Sequence, residues 1–477
     1  MVLSRLNIWK RIVPMIACML CLLSGCESKL TDDPSARLMF SVDTLRFDTV
    51  FTSEGSATRQ VRIYNPNRRA LQIRSVKMQN GESFKVNLDG EQTLSAISDL
   101  RINGGDSLFL FVRATIRPED RNQPVFIEDK LLLEVGNHAE QLVIEAYGWD
   151  VELIDSLYIG HDTTLLGRKP YLVSRGIYID KGAHLTIAPG CHFFMHDTAK
   201  VVCLGGISAC GTLDAPVRFQ SDRLDDLYEG IRYLYVGGKW NGIYLSAPDS
   251  AFFSYTEIVS GSIGLYLSGT GNEHLTLLNS RIHNCSVYGL VLQDVNALVA
   301  NTEISNCAQY CIYSAGGKHQ FIHTTVASFF NHTQYAIQTV LRDDQVSPLY
   351  ISNLSKRQQK TEVHFLNSIL AGIKHNCLML ATPLPSYYLG SFAYSYLQTD
   401  TLSDRFAHDN IYSDHRDTSL FVVDYYADKE RYYDFSLDSL SPARDIADSV
   451  IATRYPLDRR GRDRFADHHP DAGCYEY

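Results

Sequence analysis

Three tyrosines, Tyr244, Tyr266 and Tyr313, recur in one frame of a repeat, with Val291 and Gln338 filling the remaining places. If the repeats stack as strands about 4.8 Å apart, that spacing is close to the rise of a sugar unit. Outward tyrosines would then offer rings for pyranoses to stack on. The alternative is that the tyrosines pair with one another or lie beneath the C-terminal segment. A second frame carries Glu257, Arg281, Glu303, Thr325 and Ser368. A carboxylate base beside a charge-stabilising Arg is what a polysaccharide lyase needs. The same residues on adjacent strands also make an ion ladder worth about 0.2–1 kcal/mol per pair. Paired carboxylates ionise easily and are weak bases at neutral pH, so the ladder is the favoured reading and no residue is assigned a catalytic role.

His319 and His323 flank Phe321, with His332, His364 and His375 elsewhere in the chain. Metal binding needs three or four convergent groups, and this spacing does not supply them, so neither a metal nor a cofactor is expected. P-loop, GxSxG, HExxH and dinucleotide fingerprints are all missing from the sequence. The stretch 222–239 holds Tyr228, Tyr233 and Tyr235 ahead of Trp240 and reads as a binding loop or a packed lid. Eight cysteines follow residue 26, at positions 191, 203, 210, 285, 307, 311, 377 and 474, in no zinc or redox spacing. An oxidising compartment would allow them to pair.

The elements that must position these residues follow from the repeat. Gly242-Ile-Tyr-Leu, Gly264-Leu-Tyr-Leu, Gly289-Leu-Val-Leu, Cys311-Ile-Tyr-Ser and Ala336-Ile-Gln-Thr align at steps of 22, 25, 22 and 25 residues. A column of Ile258, Ile282, Ile304, Val326 and Ile369 follows, then Ser260, Asn284, Asn306 and Ser328. A period of 20–30 residues with short apolar strands describes a solenoid that buries its core only by stacking. Asn at a recurring corner suits amides that bond to the next rung.

Together with Leu185-Thr-Ile-Ala-Pro-Gly190, Gly205 to Gly211 and Trp240-Asn-Gly-Ile243, this resembles the right-handed parallel β-helix of the pectin-lyase-like family over roughly 200 residues. The tail, Asp458-Arg-Arg-Gly-Arg462 and Asp471-Ala-Gly-Cys-Tyr-Glu-Tyr477, also resembles such proteins. It is expected to cover the open solenoid end.

Upstream, Leu45-Arg-Phe47, Val61-Arg-Ile-Tyr64, Leu71-Gln-Ile73 and Leu108 to Val112 alternate as short strands between turn clusters. They resemble immunoglobulin-like domains of the spindle-protein/sperm-protein type, which are binding or spacer modules. At the start, Arg5, Lys10 and Arg11 precede an apolar run, Ile12 to Leu23, too short to span a bilayer. It ends Leu23-Ser24-Gly25-Cys26, which resembles the lipobox of bacterial lipoproteins and implies acylation of Cys26. The acidic stretch from Glu27 to Asp33 resembles a surface-export signal, or is a solvated linker.

The expected order is therefore a signal peptide (1–25), an acidic linker (26–35), a β-sandwich (36–150), a β-helix (151–379), and a C-terminal rung and cap (380–477), all-β throughout. A net charge of −10 and a pI near 5.9 argue against nucleic acid or an anionic membrane surface as a partner held by charge. The expected partners are the lipid bilayer, through Cys26, and a polysaccharide or another envelope protein. The expected place is the outer membrane, and the expected role is non-catalytic glycan binding, adhesion or scaffolding. The rival is a polysaccharide lyase or other glycan-active β-helix enzyme. Ten Asp-(Ser/Thr)-(apolar or Thr) triplets, centred on Thr44, Thr49, Ser107, Ser156, Thr163, Thr198, Ser250, Thr401, Ser439 and Ser449, resemble O-glycosylation sites of gut-bacterial envelope proteins. They also suit turns that open strands.

Overall fold

The computed structural model describes residues 29–477 except 32, 53, 93–96, 119–122, 137, 229–230, 330–346, 353–359, 382–388, 404–405, 424–432 and 468. Cys26 and the segment before it, together with His332, Ala336 and Gln338, lie outside the described residues. The chain forms two compact units that meet in sequence at Trp149 and Asp150.

The first unit is a β-sandwich. Strands Thr44–Phe51, His138–Trp149, Val125–Val135, Leu71–Met78 and Ser98–Ile102 form one sheet; Met39–Phe40, Arg59–Tyr64, Ser107–Ala114 and Phe84–Leu88 form the other. Alternation sends Val61, Ile63, Leu110 and Val112 inward from the smaller sheet, where they meet Leu131, Leu133, Leu142 and Ile144 in one core.

The second unit is a parallel β-helix of three strand columns. One column runs Lys200–Cys203, Gly242–Ser246, Ile263–Ser268, Tyr288–Gln293, Tyr310–Ala315, Leu349–Ser352 and Leu378–Leu380. Another runs Val217–Ser221, Thr256–Val259, Arg281–His283, Glu303–Ser305, Thr325–Ser328 and Ile369–Gly372. The third runs from Thr163–Leu165 through Asn296–Ala300 and Gly317–Ile322 to Ala407–His408. Ile243, Leu265, Leu290 and Ile312 are in register and fully buried, as are Ile258, Ile282, Ile304 and Val326. The repeated glycine has a steric cause. A Cβ at Gly264 would stand 2.5 Å from the Gly289 carbonyl oxygen, and one at Gly289 2.6 Å from that of Cys311.

The structure corrects four sequence expectations. The place after Tyr313 belongs to Tyr350, because the frame resumes beyond the long segment that follows Phe329. Thr325 faces Ile369 and Val326 faces Leu370, so Ser368 is not an outward strand residue but a corner hydroxyl.

The corner column is set chiefly by backbone conformation. Ser260, Asn284 and Asn306 adopt φ of 65°, 56° and 51°, a region that Asn tolerates. Of their side chains, Asn306 bonds to the next rung, its Oδ1 accepting from Phe329 N at 2.9 Å. Finally, the described residues of the tail lie beside the stack and do not close the solenoid end. Strands Leu389–Ala393, Tyr396–Gln398 and Ile411–Ser413 continue the stack, and residues 433–477 lie along its flank.

Candidate functional site

Outward from the first column, strand register aligns Tyr158, Tyr178, Val202, Tyr244, Tyr266, Val291, Tyr313, Tyr350 and Met379 in one line. The three tyrosines singled out from the sequence thus belong to a longer stripe. Tyr158 and Tyr178 escape the sequence repeat because the 22–25-residue frame does not extend to the first rungs. Tyr244 and Tyr266 have centroids 6.0 Å apart with planes tilted by 37°. Tyr313 stacks on Tyr350 at 5.2 Å, and Tyr288 and Tyr310 join them, with Tyr310 stacked 4.7 Å from Tyr350.

These rings pair with one another. Stacked neighbours cover ring faces, so this cluster offers edges and hydroxyls more than flat surfaces to a ligand. Tyr266 donates its hydroxyl to Gln293 Oε1 at 2.6 Å. A parallel line of Ser246, Ser268, Gln293, Ala315 and Ser352 runs beside the stripe. From Val202 to Met379 neither line contains a charged side chain.

The second outward column is an ion ladder, longer than the sequence indicated. Arg218 Nε lies 3.0 Å from Glu257 Oε2, and Arg281 Nε lies 2.9 Å from Glu303 Oε1. The tail covers it. Arg459 Nη2 approaches Glu257, Tyr475 donates its hydroxyl to Glu303 Oε2, and Cys474 N donates to Thr325 Oγ1 at 3.0 Å. Further along, Asn301 Nδ2 donates to Leu457 O, and the fully buried Arg464 donates to Asn301 Oδ1.

Burial by itself would raise both carboxyls. For Glu303 the charge of Arg281, backed by Arg459 and the Ser305 hydroxyl, outweighs it and holds the group well below the usual carboxylate range. For Glu257, Arg459 and Arg218 do the same. Tyr475 is driven up by burial, and His283 is driven down by burial and by Arg281. These four groups are thus fixed charges and fixed neutral side chains, with no base near neutrality among them.

The described histidines do not converge. His319 points into the core between Ser314 Oγ at 2.6 Å and Val295 O at 3.1 Å, and His323 occupies a buried corner at φ 47°. His364 bonds Glu362 and Ser391 on the outer face, and His375 is exposed. Among the described residues no group of three metal-ligating side chains forms. The eight described cysteines are free thiols, seven of them buried.

In the 222–239 stretch, Asp226–Tyr228 pairs with Ile231–Arg232, and Tyr233 sits under Arg223 and Lys239. Trp240 is wholly buried and donates Nε1–H to Val259 O at 2.8 Å. A shallow groove at another corner includes Asp249 and Glu273, whose carboxylates accept from the backbone of Gly182 and of Thr270 and Gly271.

Residues 235–349 match the family model described as right handed beta helix region. A solved family 123 glycoside hydrolase from Clostridium perfringens, reported for glycolipid glycan hydrolysis, aligns at 6% identity with a TM-score of 0.18. That alignment covers 24% of this chain and 26% of the other, so this chain spans about a quarter of that hydrolase. No curated protein matches the chain. The architecture is an all-β one, a sandwich followed by a right-handed parallel β-helix with its C-terminal segment packed on the flank.

Proposed function

We propose that this chain is a lipid-anchored, non-catalytic β-helix of the bacterial outer membrane whose tyrosine face binds polysaccharide. The observation that carries the reading is the uncharged stripe of tyrosine and aliphatic side chains running rung by rung beside a line of hydroxyls and an amide. Ring edges give apolar contact to sugar C–H groups, and Tyr and Ser hydroxyls exchange hydrogen bonds with sugar hydroxyls. With no cation in the stripe, a neutral chain suits it better than a uronate polymer. The anchor rests on the basic start, the short apolar run and Leu23-Ser24-Gly25-Cys26. No helix among the described residues is long and apolar enough to cross a membrane.

The lyase rival is disfavoured because Glu257 and Glu303 are sheathed by the tail and paired with arginines. Affinity electrophoresis of the full chain through neutral and uronic polysaccharides tests the reading. Migration should slow in at least one neutral polymer, and Tyr266→Ala combined with Tyr313→Ala should weaken binding about tenfold, equal to about 1.4 kcal/mol. Equal binding by the double variant, or retardation by no polymer, would sink the proposal. Release of unsaturated sugar ends, abolished by Glu257→Gln, would instead establish the lyase.

A further inference from the structure

The smaller sheet of the sandwich has an outer face unlike the rest of the chain. That face carries Arg62, Lys85 and Arg113, and its four strands hold no Asp or Glu, in a protein whose net charge is −10; Arg59, on the inward side with Val61, lies over the Phe47 ring instead. Acidic residues of this unit stand in turns, such as Asp89 and Asp106, or in the other sheet, as Glu128, Glu134, Glu140 and Glu145 do. Asp48 of that other sheet reaches Arg59 at 3.3 Å.

Large apolar side chains stand among the cations. Met39 is 56% exposed, Tyr64 39%, Phe109 38% and Phe111 37%. Register places them together: Met39 faces Tyr64, Arg62 faces Phe109, and Phe111 lies between Gln60 and Asn87. The Arg62 guanidinium sits 5.4 Å from the Phe109 ring centre.

We infer that this face docks on the phosphate-bearing headgroups of an anionic bilayer. The inference rests on the lipid anchor proposed above. Exposed aromatics settle at the headgroup level of a membrane, and each Lys or Arg held there adds to the attraction of an anionic surface. Chain length supports this occupant. Lys29, three residues after Cys26, is already pinned to the sandwich, its carbonyl accepting from Ala70 N at 3.1 Å while Thr31 N donates to Ala70 O at 2.9 Å, so the tether is roughly 10 Å even when fully extended. An acyl group at Cys26 therefore keeps this sheet near the bilayer surface. The headgroups would meet the side chains of Arg62, Lys85 and Arg113, with Phe109 and Phe111 between them. The face then fixes how the sandwich lies on the membrane, which a single acyl attachment does not do.

The test uses the full chain in vesicles, with or without phosphatidylglycerol in phosphatidylcholine, and follows acetylation of Lys85 by peptide mass spectrometry. Lys85 should react about fivefold more slowly on the anionic vesicles. The protection should vanish in about 1 M salt, where the Debye length is about 3 Å, and in the Arg62→Glu, Arg113→Glu double variant. Exposed Lys181 of the β-helix is the internal reference and should not change.

If the chain floats with both vesicle types and Lys85 reacts equally on each, the docking face is wrong while the anchor stands. If it floats with neither, the anchor is wrong. Lys85 protection by anionic vesicles added to that unanchored chain would still uphold the face, and its absence would remove it. Protection in native membranes but not in pure lipid would identify a protein partner instead and overturn the inference.

Discussion

Arg459 Nη2 lies 3.3 Å from Glu257 Oε1 although 202 residues separate them in the chain. Arg459 also donates Nη1–H to the Tyr475 hydroxyl, which in turn donates to Glu303. The tail and the ion ladder are thus one network, in which Arg459 and Tyr475 add to the pairing that Arg218 and Arg281 already give the two carboxylates. Buried charge without its partner is strongly penalised, and Glu303 is almost wholly enclosed.

Glu303→Ala should accordingly lower the unfolding free energy of the β-helix by about 3–5 kcal/mol. Arg46→Ala, which removes a largely exposed pair with Glu145 in the sandwich, should cost less than about 1 kcal/mol. Denaturant midpoints read separately for the two units check this. Equal small shifts for both variants would mean that the ladder contributes no more than a surface pair.

The strand column bearing the tyrosines is legible because Ile243, Leu265, Leu290 and Ile312 recur at steps of 22, 25 and 22 residues. The third column is not. Its inward pairs run Ala251 and Phe253, Leu275 and Leu277, Ala297 and Val299, then His319 and Phe321, so side-chain size or polarity changes at each rung and no constant repeat is visible. The frame error at Ser368 follows from the long segment after Phe329, across which no spacing can be counted. The lateral tail is illegible for another reason. Its contacts are charged and polar side chains whose partners lie far away in sequence, and composition cannot show which face they cover. The extra tyrosines Tyr288 and Tyr310, one residue before the repeated Gly or Cys, are readable in frame, but attention to the outward position alone passes over them.

A signal that the sequence does contain is a ladder of hydroxyls at the corner entering the second column. Thr256 N donates to Ser280 Oγ, Thr324 N to Ser368 Oγ and Ser368 N to Ser395 Oγ at 2.9–3.0 Å, each acceptor also donating to a carbonyl two residues back. Ser368→Ala should cost about 1–3 kcal/mol, since Thr324 N is left buried without its acceptor. Ser368→Thr should be nearly neutral, because Thr302 and Thr324 occupy the same corner. Thermal melts of the two variants separate the hydroxyl from the volume change: similar losses in both would refute the ladder.

Acid should weaken the β-helix through its buried histidines. Burial pushes His319 down to about 4 from the usual 6.5. A depressed value means that the neutral ring is the form the fold accepts. The stability it contributes is present above about pH 6.5 and is lost as pH falls toward 4. Every tenfold loss of proton affinity is worth about 1.4 kcal/mol, giving roughly 3 kcal/mol for this group alone. His319→Gln, which keeps a donor and an acceptor, should flatten the fall of stability between pH 6.5 and 4. Parallel curves for the two proteins, measured by urea unfolding, would show that His319 does not titrate in this range.

Cys26→Ala should abolish acylation, and the unlipidated chain should leave the membrane fraction for the soluble one. The measurement is fractionation with mass spectrometry of the N-terminal peptide. Unchanged membrane association of a chain proven to lack lipid would remove Cys26 as the anchor.

The Asp-(Ser/Thr) triplets give the last expectation. A hydroxyl can receive a sugar only if a transferase can reach it. Of the ten, Thr198, Ser250, Thr401, Ser439 and Ser449 are exposed and the other five are half-buried; none is buried. The half-buried ones sit in strands, as Thr44, Thr49, Ser107, Ser156 and Thr163 do, where the hydroxyl competes with neighbouring side chains for space. The ordinary cause, Asp opening a turn before a strand, accounts well for Thr44, Ser107 and Ser250, each of which begins one. It accounts less well for Thr198, which lies outside any strand. If these triplets are modified, the exposed five should carry the sugar and the half-buried five should carry little. Intact-mass and peptide measurements on protein from its native host distinguish the cases. Sugar increments concentrated on Thr198, Ser250, Thr401, Ser439 and Ser449 would support modification. A mass equal to the lipidated polypeptide would leave turn formation as the whole explanation of the triplets.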